Sequence, residues 1–480
     1  MKRAEEYRKQ LGGMRPNIYV GGERLRRDDP RLEQPINVVA STFDAAQEPG
    51  LDGIATAVSH LTGEKINRFC NIHQSMEDLL RKQRMTRLLC HKVGGCIHRC
   101  MGIDAMNALS VVTYDTDQKH GTEYHKRFLK FLEYFQKDDV VGNCAQTDVK
   151  GDRSKRPHEQ VDPDLYLRMV EKKSDGIVVR GAKIHNTMAP YAQEIIVLPT
   201  RALTSEESDW AVAFAIPGDW EGVHQIVRLA NMRPRKHLKA PIANFGDAES
   251  FTVFDNVFVP WERVFLCGET DMGGRLALQF AEFHRHSYTG CKPSITDILM
   301  GATALAAEYN GVENAQHIRM KLAHLIGIGE LVNAAGIAAA YHSEKTPSGT
   351  YIPNSIFVNV GRRLAGENIF HEWEILCDIA GGIYATLPFE EDWYKEETRN
   401  YLEKYIMRNP RISAENQHRL FRMISDLLAS GWSGVELAGQ YHGGGSPIME
   451  TIGLLRDYDL KPKKDVVKYL AGIPLDDPHG

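Results

Sequence analysis

Four residues in two short segments have the chemistry to hold a metal. Cys96 and Cys100 lie four apart in CIHRCMGIDAMNA, and His284 and Cys291 lie seven apart in FHRHSYTGCK. If both stretches are helical, each pair falls on one face, because a helix turns once in about 3.6 residues. Two helices that each turn two soft ligands towards a shared interior can build a metal site in a bundle core. Three thiolates and one imidazole suit zinc or an iron–sulfur cluster. Zinc ribbons use tight C-x-x-C knuckles on loops, and the sequence has none, so a cluster wedged between helices fits the spacing better. Spacing alone leaves a plainer reading open. The chain has 8 cysteines, and unpaired cysteine packs as a small hydrophobe.

Three glycine-bearing segments are less specific. QTDVKGDRS, Gln146 to Ser154, could offer backbone N–H groups and cations to a pyrophosphate, or be an ordinary solvated loop. It matches neither G-x-G-x-x-G nor a P-loop. HGGGSP, His442 to Pro447, and DIAGG, Asp378 to Gly382, read as turns that end helices.

The elements that must hold these residues follow from periodicity. Ser75–Cys90 and Lys119–Gln136 repeat apolar residues at three and four, which predicts helices. From about Val141 to Cys267, short β-branched or aromatic runs such as WAVAFAIP and FTVFDNVFVP read as strands. Helical patterning returns after Gly273, with Ala-rich stretches at Ile298–Tyr309 and Leu322–Tyr341 and an amphipathic segment over Glu415–Leu437. The order predicts an α+β chain: an N-terminal helical domain over 1–140, a middle β-domain over 141–268 and a C-terminal helical domain over 269–480.

Composition narrows the partners. With 58 Lys+Arg against 63 Asp+Glu, the net charge is −5 over 480 residues. That argues against a general nucleic-acid binder. The longest apolar stretch, near Leu325–Tyr341, is broken by Glu330 and Asn333, which predicts no membrane span. The start, MKRAEEYRKQL, has no apolar export region. The expectation is a cytoplasmic chain with reduced thiols.

The motifs taken together carry more. KINRFCNIHQS, CIHRCMGIDAMNA, TDVKGDRS, DGIVVRGAKIHNT, VFDNVFVPWERVFLC, FHRHSYTGCK, LAAEYNG, DIAGG and HGGGSP occur colinearly over nearly the whole chain. In this set the sequence resembles the 4-hydroxybutyryl-CoA dehydratases, within the 4-hydroxyphenylacetate 3-hydroxylase flavoprotein family. The resemblance implies an acyl-CoA dehydrogenase-like fold, a homotetramer, FAD and a [4Fe–4S] cluster. It assigns the cluster to Cys96, Cys100, His284 and Cys291. It turns Gln146, Thr147, Asp148, Lys150, Gly151, Asp152 and Arg153, with His185, Asn186 and Thr187, towards the flavin. It gives His284 or Glu249 the role of base, and Tyr288 and Lys292 that of positioning or protonating a leaving hydroxyl. The implied reaction is radical dehydration of 4-hydroxybutyryl-CoA, or a related hydroxyacyl-CoA, to crotonyl-CoA, with vinylacetyl-CoA isomerase activity and an anaerobic setting. Two departures stand out: Gly439 occupies the place of a family glutamate, and His98 lies between the paired cysteines, where glutamine is frequent. Glu436, one turn before Gly439, could replace that glutamate only with a rearranged backbone. Two alternatives follow, a flavin-dependent phenol monooxygenase of the same family and a non-catalytic flavin-binding paralogue.

Overall fold

The N-terminal region is helical where periodicity predicts it, and it also carries strands too short for periodicity to reveal. The computed structural model describes residues 1–474. Helices α1 (Ala4–Gly13) and α2 (Glu33–Gln47) flank β1 (Ile18–Val20) and β2 (Glu23–Leu25), and β3 (Thr56–Val58) pairs with β4 (Lys65–Asn67). Helix α3 (Met76–Val93) starts where the Ser75 hydroxyl accepts the Asp78 N–H, and it stops at Gly94 with φ 75°. The helix expected over Lys119–Gln136 is two, α4 (Cys100–His120) and α5 (Tyr124–Lys137), because Gly121 turns left-handed at φ 68° and ends α4.

The β region contains β5 (Gly142–Ala145), β6 (Arg168–Lys172), β7 (Gly176–Thr187), β8 (Glu194–Val197), β9 (Val212–Pro217), β10 (Val223–Asn231), β11 (Gly246–Pro260) and β12 (Val264–Cys267). They form a six-stranded sheet in the order β2-β1-β10-β11-β7-β6 and a four-stranded sheet in the order β12-β9-β8-β5. Inward residues of the two sheets share one core, including Ile177, Val179 and Phe254 from the first and Ile195, Val197 and Phe214 from the second. The Phe214 and Phe254 rings meet edge to face at 6.0 Å. Strand β1 lies parallel to β10, so the chain's start is built into the larger sheet.

Beyond the sheets lie α6 (Thr270–Tyr309), α7 (Gln316–Tyr341), the hairpin β13 (Glu344–Lys345) and β14 (Tyr351–Ile352), and α8 (Ser355–Ala380). Then come α9 (Ile383–Thr386), α10 (Glu390–Trp393), α11 (Glu396–Tyr405), α12 (Ala414–Ala429), α13 (Gly431–His442), α14 (Pro447–Asp457) and α15 (Lys461–Ala471). The amphipathic stretch expected over Glu415–Leu437 is thus broken at Ser430, whose hydroxyl caps α13. Contrary to the sequence expectation, α7 is long and apolar enough to cross a membrane by length and composition. It packs on α6 and α8 with Val332, Ala335 and Ala339 buried, while Ile326, Leu331 and Ile337 stay exposed.

The 40-residue α6 is the spine, in contact with α3, α4, α7 and α8. Pro293 lies inside it and cannot donate to the carbonyl four residues back, that of Thr289. The Gln83 amide of α3 donates to that carbonyl at 3.2 Å and to the Asn333 carbonyl of α7 at 2.9 Å. Replacing Gln83 with Leu should therefore destabilise the fold by about 1–3 kcal/mol, the cost of an unsatisfied buried acceptor. Pro293→Ala restores an N–H for Thr289, so the double variant should recover part of the loss. Denaturant midpoints of the two singles and the double check both.

Candidate active site

The two cysteines of C-x-x-x-C do not share a helix. Residues 94–99 form a turn between α3 and α4, so Cys96 lies in the turn and Cys100 is the first residue of α4. The glycines explain the difference. Gly94 ends α3, and a Cβ at Gly95 would sit 2.5 Å from the Trp432 ring of α13. His98 adopts φ 60°, a left-handed conformation rare for a residue with a side chain. The turn folds the sulfurs together: the His98 N–H points at Cys96 Sγ at 3.4 Å, and Cys100 Sγ lies 3.8 Å from the His98 carbonyl.

His284 and Cys291 lie two turns apart on α6, as expected, and face this turn. The Cys96 thiol is in hydrogen-bond contact with Cys100 and Cys291, and Cys100 with the His284 ring. Cys90, the buried cysteine of α3, also touches Cys291. These contacts split the thiols. Donation from Cys96 holds Cys100 down to about 6, and donation from Cys90 and Cys96 holds Cys291 well below the thiol range. Burial works against charge on His284, but Asp104 and Cys100 outweigh it and raise the ring to about 10. Ligand atoms of Cys100, Asp104 and His284 lie within 4.8 Å of one another. A metal would displace the remaining protons, since thiolate and neutral imidazole are the ligating forms.

Helix α13 closes the other side. Glu436 and Gln440 face inward, whereas Gly439 is exposed and has nothing within 4 Å of its Cβ direction. No rearranged backbone is needed for Glu436 to reach the cysteine turn. Its carboxylate accepts from the Cys96 N–H at 3.4 Å and from Gln440 Nε2 at 2.6 Å, and Gln440 Nε2 lies 3.7 Å from Cys291 Sγ. Burial, then the charge of Cys291, pushes Glu436 up to about 7.

The loop after β5 meets the end of β7, joining two segments that the sequence could only list separately. Ile184 N–H donates to the Thr147 carbonyl at 2.9 Å, and Lys183 Nζ reaches the Gln146 carbonyl at 2.8 Å and Asp148 at 2.7 Å. Gln146 Nε2 anchors the loop to the Ala277 carbonyl of α6 at 3.0 Å. Lys150, Gly151, Asp152 and Arg153 are exposed at its tip. Burial, then the charges of Arg153 and Arg201, lowers Lys150, and burial, then the charges of Lys150 and His442, lowers His185. Positive groups therefore gather here beside two buried acceptors without a donor, Asn143 Oδ1 and Asn186 Oδ1.

A polar line runs from this loop to the thiols. Thr187 Oγ1 donates to Glu249 Oε1 at 2.6 Å, directly across the β7–β11 pair. Asp247, two residues along β11 from Glu249, lies 3.5 Å from His98 Nε2, and Tyr191 OH lies 3.2 Å from His98 Nδ1. The Asp247 charge outweighs burial and raises His98 to about 9. Tyr288 and Lys292 are buried on α6: Tyr288 OH donates to the Gln440 carbonyl at 2.6 Å under the Arg362 guanidinium, and Lys292 Nζ pairs with Glu372 at 2.5 Å. Asp104, Gln440 and Glu372 escaped sequence reasoning, and Glu436 was singled out only as a substitute needing a rearranged backbone. Each had one faint signal, a spacing of four from a residue of the site on its own helix or none at all.

Comparison with known proteins fits this arrangement. The family model described as 4-hydroxyphenylacetate 3-hydroxylase N terminal matches residues 3–266, and its C-terminal counterpart matches 274–472. The chain belongs to the 4-hydroxyphenylacetate 3-hydroxylase family. It is 38% identical to the 4-hydroxybutyryl-CoA dehydratase/vinylacetyl-CoA-Delta-isomerase of Clostridium aminobutyricum, over 98% of this chain and 99% of that one. It is 25% identical to the 4-hydroxyphenylacetate 3-monooxygenase oxygenase component of a Geobacillus strain, covering 100% and 99%. Among solved structures, an oxygen-tolerant archaeal 4-hydroxybutyryl-CoA dehydratase from N. maritimus superposes with TM-score 0.94 at 37% identity, over 98% of this chain and 95% of that one. An oxygenase component complexed with FAD and 4-hydroxyphenylacetate superposes at 0.88 with 23% identity, covering 98% of each, and shows the shared fold. The fold of the family is the α+β, acyl-CoA dehydrogenase-like one expected from the motifs.

Glu249 supplies a pH prediction. Desolvation by the surrounding protein, then the charge of Asp247, pushes its carboxyl from 4.5 up to about 8. The folded chain thus keeps a proton that the unfolded chain releases above about pH 4.5, so this group's contribution to stability falls as pH rises from about 4.5 to 8. An infrared band of protonated carboxyl should be present at pH 7, fade around pH 8 and be missing in Glu249→Gln.

Proposed function

We propose that the chain is a hydro-lyase, a FAD- and [4Fe–4S]-dependent dehydratase of 4-hydroxybutyryl-CoA or a related 4-hydroxyacyl-CoA, with vinylacetyl-CoA isomerase activity. The observation that carries this reading is the meeting of three thiols and one imidazole from segments far apart in sequence. Phenol oxygenation has no use for such a set. Cys96, Cys100, His284 and Cys291 would hold the cluster, and their donor chemistry fits iron. The cationic loop tip around Lys150 and Arg153 fits a pyrophosphate, and the donor-free Asn143 and Asn186 oxygens fit the N–H groups of a flavin ring.

When bound, the flavin supplies one-electron chemistry and the cluster an iron able to polarise a hydroxyl. The chain's own residues then have defined work. Glu249, raised towards neutrality and fixed by the Thr187 hydroxyl, can take and return a substrate proton near the operating pH. Glu436 holds the Cys96 N–H and Gln440, supplying the carboxylate absent at Gly439. Tyr288 and Lys292 flank Cys291 on α6, where they would orient the leaving hydroxyl. The exposed apolar residues of α7, among them Ile326, Leu331 and Ile337, suit burial between copies in a homotetramer.

Protein purified without oxygen should contain about four irons and one flavin per chain and convert 4-hydroxybutyryl-CoA to crotonyl-CoA. Cys291→Ser should lose the iron and the dehydration while keeping flavin. Flavin without iron, even after anaerobic reconstitution, would overturn the reading in favour of the oxygenase branch.

A further inference from the structure

One buried carboxylate beside the thiols has no role in the reading above. Asp104 follows Cys100 by one turn of α4 and is fully buried. Three donors from two other helices converge on it. Lys82 Nζ of α3 reaches Oδ1 at 3.0 Å, Ser287 Oγ of α6 reaches Oδ1 at 2.9 Å, and His284 Nδ1 of α6 lies 3.0 Å from Oδ2. Lys82 Nζ also donates to the Phe283 carbonyl, the residue before His284, at 3.2 Å.

We propose that Asp104 is the positioning residue of the metal centre, fixing which nitrogen His284 presents to the metal while Lys82 and Ser287 hold Asp104 in place. The proposal rests on the cluster reading. A neutral imidazole carries one N–H, and the partner of each nitrogen decides where that proton sits. A carboxylate that already takes Lys82 and Ser287 on Oδ1 can only accept at Oδ2, so Nδ1 carries the proton and Nε2 keeps its lone pair. Phe280 fixes the ring plane, stacked at 5.4 Å between centroids and 11° between planes. Nε2 is then the atom left for the thiol side, where Cys100 contacts the ring. Metal-ligating histidines usually give their second N–H to a carboxylate in this way. Asp104 lies close enough to be mistaken for a ligand, but both its oxygens already accept hydrogen bonds.

Two consequences follow. With Nδ1 protonated and Nε2 on the metal, His284 has no place for a substrate proton, so it is a ligand and the base is another group. The carboxylate also makes the imidazole a stronger electron donor, which lowers the potential of the iron it holds.

The test uses iron-loaded protein and reads the centre spectroscopically. In Asp104→Asn, of similar size, the iron content should stay and the midpoint potential should rise. In a His284→Cys background the same substitution should move the potential clearly less, because only the through-space effect of the lost charge remains. No shift in the first case, or equal shifts in both backgrounds, overturns the proposal. A variant that fails to fold is bypassed in the wild type with histidine labelled by 15N at one ring position. Strong coupling of the reduced cluster to Nε2, with an exchangeable proton on Nδ1, supports the assignment, and strong coupling to Nδ1 overturns it. A wild type that takes up no iron overturns the cluster reading and this one with it, whereas an iron-loaded wild type that fails these tests overturns this one alone.

Discussion

A proline in the middle of a long helix leaves one carbonyl without its usual donor, and here that vacancy joins the structure together. The Thr289 carbonyl, orphaned by Pro293, is taken by the Gln83 amide, which also reaches the Asn333 carbonyl of α7. One side chain thereby ties α3, α6 and α7 within two residues of Cys291. Close packing follows at the same crossing: a Cβ on Gly290 would come 2.4 Å from the Gln83 carbonyl, and one on Gly336 would come 2.0 Å from the Thr289 hydroxyl. Residues larger than glycine there would push α3 away and carry Cys90 and the cysteine turn with it. The geometry of the thiols is thus set by a backbone approach, not by the thiols.

Charge is arranged around that frame in two separate groups. On the helical side, the Lys82–Asp104 pair is sealed from water and offsets its own charge. Such a pair is costly to bury and severe to break, so it acts as a rigid reference for the His284 ring. On the sheet side, Asp247, Glu249 and His98 form a line in which desolvation and mutual repulsion keep one proton more than free carboxylates would hold. Asp104 and Lys82 thus fix orientation on the helical side, while on β11 the Glu249 carboxyl is raised towards neutrality.

What the sequence made legible depended on range. Helices such as α3 declared themselves through periodicity, and β11 through its β-branched and aromatic run. Strands β1 and β2, three residues each, could not, because they are too short for a pattern and the pairing of β1 with β10 is a long-range event that local pattern does not record. Periodicity misled at Cys96 and Cys100, where the four-residue spacing mimicked a helical face that Gly94, Gly95 and left-handed His98 replace with a turn. The four candidate donors stood out by residue type, yet only the colinear motifs set them apart from packed thiols. Asp104 was invisible, and Glu436 visible only as a misplaced substitute, because a carboxylate declares its purpose only through its partners. Position 439 drew notice as a missing glutamate, while the helix turns 436 and 440 inward.

The long separation between the two halves of the thiol group also sets an order in time. Cys96 and Cys100 leave the ribosome about 190 residues before Cys291, roughly 10–40 s at about 5–20 residues per second. The N-terminal strand β1 likewise waits for β10 before its edge is covered. Throughout that interval the nascent chain carries two neighbouring thiols without the rest of the group, and for most of it an unpaired strand edge. Under the proposed cluster reading, the full set of donors exists only once α6 has been made and has folded against the cysteine turn.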